Sequence, residues 1–199
     1  MASVNEINIG EKSNMHYYDP KENDRVSLIP KQLYPMNCKK VDTRIVDVKG
    51  KYKAKVYNIV YEIAEECSKK TFITDTGEIS GSSFVGKKVY GTGIFMFLNP
   101  KAGETFESNN GGNERYLRFC ETIKVECPEI EVDVDGEKRM VKQFPELTES
   151  EIKGSPILGF IDTQEYVQDG QTKISYKVKD FSEWAEGKKK DFELADLPF

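Results

Sequence analysis

The alternation of apolar and polar residues along the chain predicts strands for most of its length. Val41–Val48 is rich in β-branched residues, Lys49-Gly50 is a turn signal, and Lys51–Ile63 continues as a second extended run. Together they predict a long hairpin. In the first part of that second run Lys51, Lys53 and Lys55 share one face and Tyr52, Ala54 and Val56 the other, because strand side chains alternate. Past Tyr57 the lysine register is taken over by Ile59, Tyr61 and Ile63, which predicts a bulge or a strand buried on both faces. Thr71–Lys87, with Gly77, Gly81 and Gly86, reads as a loop. Val89–Leu98 reads as a strand deep in the core, because Ile94-Phe95-Met96-Phe97-Leu98 is apolar on both faces. Asn99–Gly112 reads as another loop.

Tyr116, Leu117, Cys120 and Ile123 then recur at helical spacing. With Asn113 as N-cap and Glu114 in the first turn, the spacing predicts a helix over 113–125. Glu129–Met140 reads as an acidic hairpin turning at Asp135-Gly136, and Pro145–Lys153 as the seat of a short helix. Ile157–Val167 and Gln171–Lys179 flank Asp169-Gly170 as a closing hairpin. In its second strand Ile174, Tyr176 and Val178 face one way, and Lys173, Ser175, Lys177 and Lys179 form a basic face opposite. The chain therefore divides into a polar N-terminal arm (1–30), one mainly β domain with one or two helices (31–186), and an acidic C-terminal tail (187–199) read as flexible.

Composition narrows the classes. A chain of 199 residues can bury one sizeable core. No run of about 18 apolar residues occurs, so no membrane span is expected, and no secretory signal is expected from the N-terminus. Cys38, Cys67, Cys120 and Cys127 contain no C-x-x-C pair, and His16 is the single histidine. This favours free thiols, a cytoplasmic location, and neither a metal nor a cofactor. The net charge is -5, but it is segregated. Between Lys39 and Lys55 seven basic residues stand against two acids, about +5 locally, while acids gather at 126–137, at 146–151 and in the tail.

Single-strand binding needs a cationic groove for phosphates and rings for bases. The candidate cations are Arg44, Lys49, Lys51, Lys53 and Lys55 on the first hairpin and Lys173, Lys177 and Lys179 on the last strand. The candidate rings are Tyr52, Tyr57, Tyr61, Tyr90, Tyr176, Phe181 and Trp184. The bland alternative is a solvated strand face of lysines above a core of aromatics. Catalysis has little support. There is no Gly-x-Ser-x-Gly elbow and no phosphate loop. Asp133-x-Asp135-Gly136 begins like a calcium loop but lacks the glutamate at its twelfth position, and the Glu-x-Lys of Glu151-Ile152-Lys153 has no strand-borne aspartate beside it.

The chain closes on Asp191-Phe192-Glu193-Leu194-Ala195-Asp196-Leu197-Pro198-Phe199, after Gly187 and Lys188-Lys189-Lys190. Apolar groups among carboxylates at a terminus suit a peptide that docks on something else. Asp196, Leu197, Pro198 and Phe199 resemble the tail of single-stranded DNA-binding proteins, in which such a tail recruits replication and recombination enzymes and the fold is an OB barrel. A second likeness covers residues 30 to 185. The basic hairpin, the glycine loop, Arg115-Tyr116-Leu117-Arg118-Phe119-Cys120, Lys153-Gly154-Ser155-Pro156 and the Asp-Gly closing hairpin resemble bacteriophage single-stranded DNA-binding proteins with an inserted helix.

The resemblance implies an OB-like, five-stranded, partly open barrel with an extra hairpin. It also implies a non-enzymatic protein that coats single-stranded DNA in phage replication or recombination, with a homo-oligomer as one option for its assembly. Partners would be recruited through Asp191, Phe192, Glu193, Asp196, Leu197, Pro198 and Phe199. Without DNA the acidic tail could lie in the basic groove, in which case deleting 191–199 tightens binding at low salt. The alternatives are a phage structural or protein-interaction module and, less favoured, an accessory nuclease.

Overall fold

β1 (Leu33–Val48) and β2 (Tyr52–Ile63) form the long hairpin that their alternation predicts. Lys49 and Gly50 both take positive φ in its turn, the left-handed geometry that matches strand twist. The structure is a computed structural model and describes residues 29–50, 52–74, 77–98, 110–134, 136–168 and 171–192. Residues 1–28, 51, 75–76, 99–109, 135, 169–170 and 193–199 lie outside the described residues, and with them most of the expected arm, Lys51, most of the loop expected over 99–112, the expected Asp-Gly turn residues Asp135, Asp169 and Gly170, and the tail from Glu193.

The remaining elements are β3 (Thr71–Thr74), β4 (Gly77–Ser80), β5 (Lys88–Gly91), β6 (Ile94–Phe97), α1 (Asn110–Thr122), β7 (Glu129–Val134), β8 (Glu137–Lys142), α2 (Glu149–Ile152), β9 (Pro156–Gln168) and β10 (Gln171–Ser182). Five strands close on one another. β1 pairs with both β2 and β9, β9 with β10, β10 with β5, and β5 with β2. All these pairings are antiparallel except β10–β5, which runs parallel through only Lys177–Tyr90 and Val178–Gly91. Strand order β1-β2-β5-β10-β9 with one thin parallel seam is a partly closed, OB-like barrel. β1 serves two neighbours because it is long and bulged: register shifts between Cys38 and Lys40, inserting Lys39.

The interior is filled by the register that includes Tyr57, Ile59, Tyr61 and Ile63 of β2, with Tyr34, Met36 and Cys38 of β1. Val89, Ile161 and Val178 complete it. One flank of this core is covered by α1, which buries Tyr116, Phe119 and Cys120. Phe72 and Phe84 flank Tyr34, with ring centroids 4.7 and 5.9 Å away. The stretch expected to be a plain loop over 71–87 is thus the β3–β4 hairpin and a helical turn. Its two buried phenylalanines need a fixed backbone to reach the core.

The helix starts three residues before the expected N-cap, at Asn110 rather than Asn113. Asn113 Oδ1 instead accepts the Phe97 N–H at 2.8 Å, so the side chain expected to cap the helix joins it to β6. The single strand expected over Val89–Leu98 is interrupted. Tyr90 faces Val60 and Ile94 faces Tyr57, so Gly91, Thr92 and Gly93 lie opposite only Asn58 and Ile59. The extra residue needs Gly93 at φ 81°, where a side chain is strained.

Candidate nucleic-acid interface

Residues directly opposite in paired strands share a face. The outer face of the barrel can therefore be read row by row from the register. Lys40, Val60, Tyr90 and Lys177 form one row across β1, β2, β5 and β10. Toward the hairpin tip come Arg44, Val56 and Phe95, then Val46, Ala54 and Phe97, then Val48 and Tyr52. In the other direction Glu62 stands between Asn37 and Lys88.

Rings and cations alternate on this face. Phe95 and Phe97 are half-buried and stack with centroids 6.4 Å apart and planes at 27°. Tyr52 meets Phe97 edge-on at 6.1 Å. Val56 and Ala54 are buried among these rings, so the platform has an apolar base. Gly112 abuts Phe97: a Cβ there would lie 2.7 Å from the ring. Arg44 is exposed one row away. Tyr90 is 60% exposed, and the Lys177 ammonium lies 5.2 Å from its ring centroid. On β9 and β10, Lys173 faces Tyr166, another exposed ring.

Carboxylates on the face are engaged. Asp162, opposite Lys177, binds Lys179 at 2.7 Å and Lys31 at 3.1 Å, and those hydrogen bonds hold its carboxyl well below the ordinary range. Asp42 lies 3.4 Å from Lys40. Arg115 of α1 donates to the Lys179 carbonyl (2.7 Å) and to Thr92 (3.3 Å), tying the helix to the bulge beside the face.

The sequence-predicted residues divide. Arg44, Tyr90, Lys173 and Lys177 lie on the outer face, Lys179 reaches it through Asp162, and Lys49 is exposed in the hairpin turn. Lys53 and Lys55 do not join Arg44. They pair with Asp47 and Ile45, whereas Arg44 pairs with Val56, which puts them on the opposite face. Lys55 there is bound to Glu146.

Tyr57 and Tyr61 are corrected outright. They occupy the interior register and are almost wholly inaccessible, at 0% and 2%, so neither can stack a base. Burial pushes both phenols up. Tyr176 shares the inward register of Val178. Trp184 is 9% exposed and packs against Gly187. Tyr52, one of the candidate rings, does lie on this face, while Phe95, Phe97, Tyr166, Lys40 and Lys88 share it without having been among the sequence-predicted residues. The signal for the phenylalanines was misleading, because an apolar run on both faces reads equally as core or as an aromatic platform.

The expectation of a flexible tail from Gly187 is also corrected as far as Phe192. A Cβ on Gly187 would lie 2.5 Å from Pro156, so the glycine allows close packing. Asn37 Nδ2 donates to the carbonyls of Gly154 and Lys188, both at 3.0 Å, and Lys190 N–H donates to Gly154 O at 2.9 Å. Lys190 Nζ lies 2.8 Å from Glu62, which also binds Lys39. Phe192 is buried, with the Lys39 and Lys190 ammoniums 5.1 and 5.0 Å from its ring centroid. Burial alone would raise Glu62, but hydrogen bonds from Lys190 and Lys39 outweigh it and hold the carboxyl below its ordinary value. Residues 187–192 are a strap across the barrel, and Phe192 is an anchor of that strap rather than part of a detached hook.

Two motifs with possible chemistry resolve into local structure. Asp133 Oδ1 accepts the Gly136 N–H at 2.8 Å, a turn bond within the β7–β8 hairpin. Glu151 accepts the Thr148 N–H at 2.7 Å and so caps α2. The four cysteines are free, and burial pushes the Cys120 thiol up to about 12. Among the described residues no helix is long and apolar enough to cross a membrane. No family model, curated protein or solved structure matches the chain.

Proposed function

We propose that this chain is a non-enzymatic single-stranded DNA-binding protein of the bacteriophage type, which takes the strand across the outer face of β1, β2, β5, β6 and β10. The observation that carries the reading is the half-exposed ring row Tyr52, Phe97 and Phe95 beside Arg44, continued by Tyr90 between Lys40 and Lys177. β2 and β5 stand second and third around the ring of strands, and in OB barrels the face of those strands takes oligonucleotides. Rings supply sequence-tolerant stacking, about 1–3 kcal/mol per base, while the lysines and arginine meet phosphates. The overall negative charge does not exclude this, because Lys40, Arg44, Lys88 and Lys177 share the outer face with the rings. In this reading the protein coats exposed strands in replication or recombination and recruits partners through residues 193–199.

The test is fluorescence anisotropy of a labelled oligo-dT titrated with the full chain at several salt concentrations. Binding should weaken with salt in a linear log–log plot. No binding at low salt would sink the reading. Cleavage of the oligonucleotide with added divalent metal would favour a nuclease instead.

A further inference from the structure

The outer face has an end that the ring platform does not explain. Beyond the row of Lys40 and Tyr90 comes the row of Asn37, Glu62 and Lys88, and the strap is bonded to Asn37 and Glu62 of that row. Glu62 holds two lysines of different character. Lys39 comes from the β1 bulge and its side chain is 7% exposed. Lys190 comes from the strap and its side chain is 41% exposed. Lys39 is thus a buried counter-ion, whereas the Lys190 side chain is partly open to solvent at the edge of the face.

We infer that Lys190 is a phosphate-contacting residue of the nucleic-acid interface, positioned by Glu62, so that the strap completes the binding face rather than competing with it. The inference rests on the single-strand reading above and extends it to a segment that charge and position alone assign to a detachable tail. A lysine on a mobile segment would lose several rotatable bonds of freedom when it met a phosphate. Held by Glu62, and with its backbone N–H bonded to Gly154, Lys190 has lost much of that freedom already. Phe192, packed between Lys190 and Lys39, keeps the strap from peeling back. With Lys40, Lys88 and Lys177 it gives the strand cations on both sides of Tyr90.

The test measures oligo-dT affinity and its salt dependence for the full chain and for K190Q, K190R and K88Q, with K138Q on the β7–β8 hairpin as a remote control. Thermal melting checks that each variant is folded. K190Q should bind about threefold more weakly and lose about 0.7 from the log–log salt slope, the value of one single-strand phosphate contact. K190R should keep the parental slope, and K138Q should match the parent. An unchanged slope in K190Q while K88Q loses affinity would overturn the role of Lys190 and leave the single-strand reading standing. Equal loss in K190R and K190Q would also overturn it, since charge would then not be the cause. Failure of the parent itself to bind removes both.

Discussion

Strand β2 carries two rows of side chains, and the two rows meet different surroundings. On one face Tyr52, Ala54, Val56 and Val60 lie beneath or beside half-exposed rings and the exposed Arg44. On the other, Tyr57, Ile59, Tyr61 and Ile63 line the barrel interior, and Lys55 of the same register runs out past the barrel to meet Glu146. Chemically the second row is the more cationic, and it also holds two of the tyrosines. It is nevertheless the inward row, because barrel closure by β9, β10 and α1 happens on that side. Which face is left open to solvent is set by the closure, not by its local charge.

The largest effect that separates the rows is on stability. Tyr61→Ala empties an interior position and should cost about 3–5 kcal/mol, as large-to-small aromatic truncations do. Tyr90→Ala, on the outer row, should change urea stability by less than about 0.5 kcal/mol while weakening oligo-dT binding. If Tyr61→Ala unfolds at the parental urea midpoint, the interior assignment is wrong.

Next in size is binding through the platform. Phe95→Ala and Phe97→Ala should each weaken oligo-dT binding by about 5- to 150-fold, corresponding to one lost base stack. The paired change Lys53→Gln with Lys55→Gln, on the other face, should leave affinity and salt slope near those of the parent. The reverse pattern would exchange the roles of the two faces.

Much of this architecture is legible in sequence, and the failures have physical causes. The hairpins over β1–β2, β7–β8 and β9–β10 follow from period-two alternation and turn residues, which are local signals. So does the separation of Lys53 and Lys55 from Tyr52 and Ala54. What alternation cannot supply is the side on which the barrel closes. That depends on β1 pairing with β9, more than a hundred residues away, and on the bulge at Lys39, which no nearby residue announces. The strap was missed for the same reason. Lys188-Lys189-Lys190 looks like a solvated run until Asn37, Glu62 and Gly154 are brought beneath it. The helix start misled because Asn113 serves a partner on β6 rather than its own helix.

A smaller effect probes the strap against the platform. Gly154 takes φ 81°, and a Cβ there would lie 2.1 Å from the Lys190 carbonyl. Gly154→Ala must therefore displace the strap as well as strain its own backbone, the latter by about 1–2 kcal/mol. Trypsin cleavage after Lys188, Lys189 or Lys190 should accelerate in the variant, while cleavage elsewhere in the barrel changes little. Equal acceleration throughout the domain would mean that the strap and the barrel open together.

The smallest expected effect concerns pH. Glu62 has its carboxyl held below the ordinary value because Lys190 and Lys39 hydrogen-bond its charged form more than burial penalises it. Its folded-state pKa is depressed, so its contribution to stability is complete above the ordinary carboxylate pKa. That contribution is lost as pH falls through the folded-state value. Protonating Glu62 removes the charge that Lys39 and Lys190 hydrogen-bond, so the strap should loosen. Trp184, the single tryptophan, packs against Gly187 at the start of the strap and reports its seating. Its emission should shift at acid pH, before the global unfolding transition, and the shift should be absent from Glu62→Gln, which lacks the titrating group. Asp162, also held low by lysines, lies on β9 opposite Lys177, so a shift that survives in Glu62→Gln and disappears in Asp162→Asn would assign the acid response to the β9–β10 side of the face.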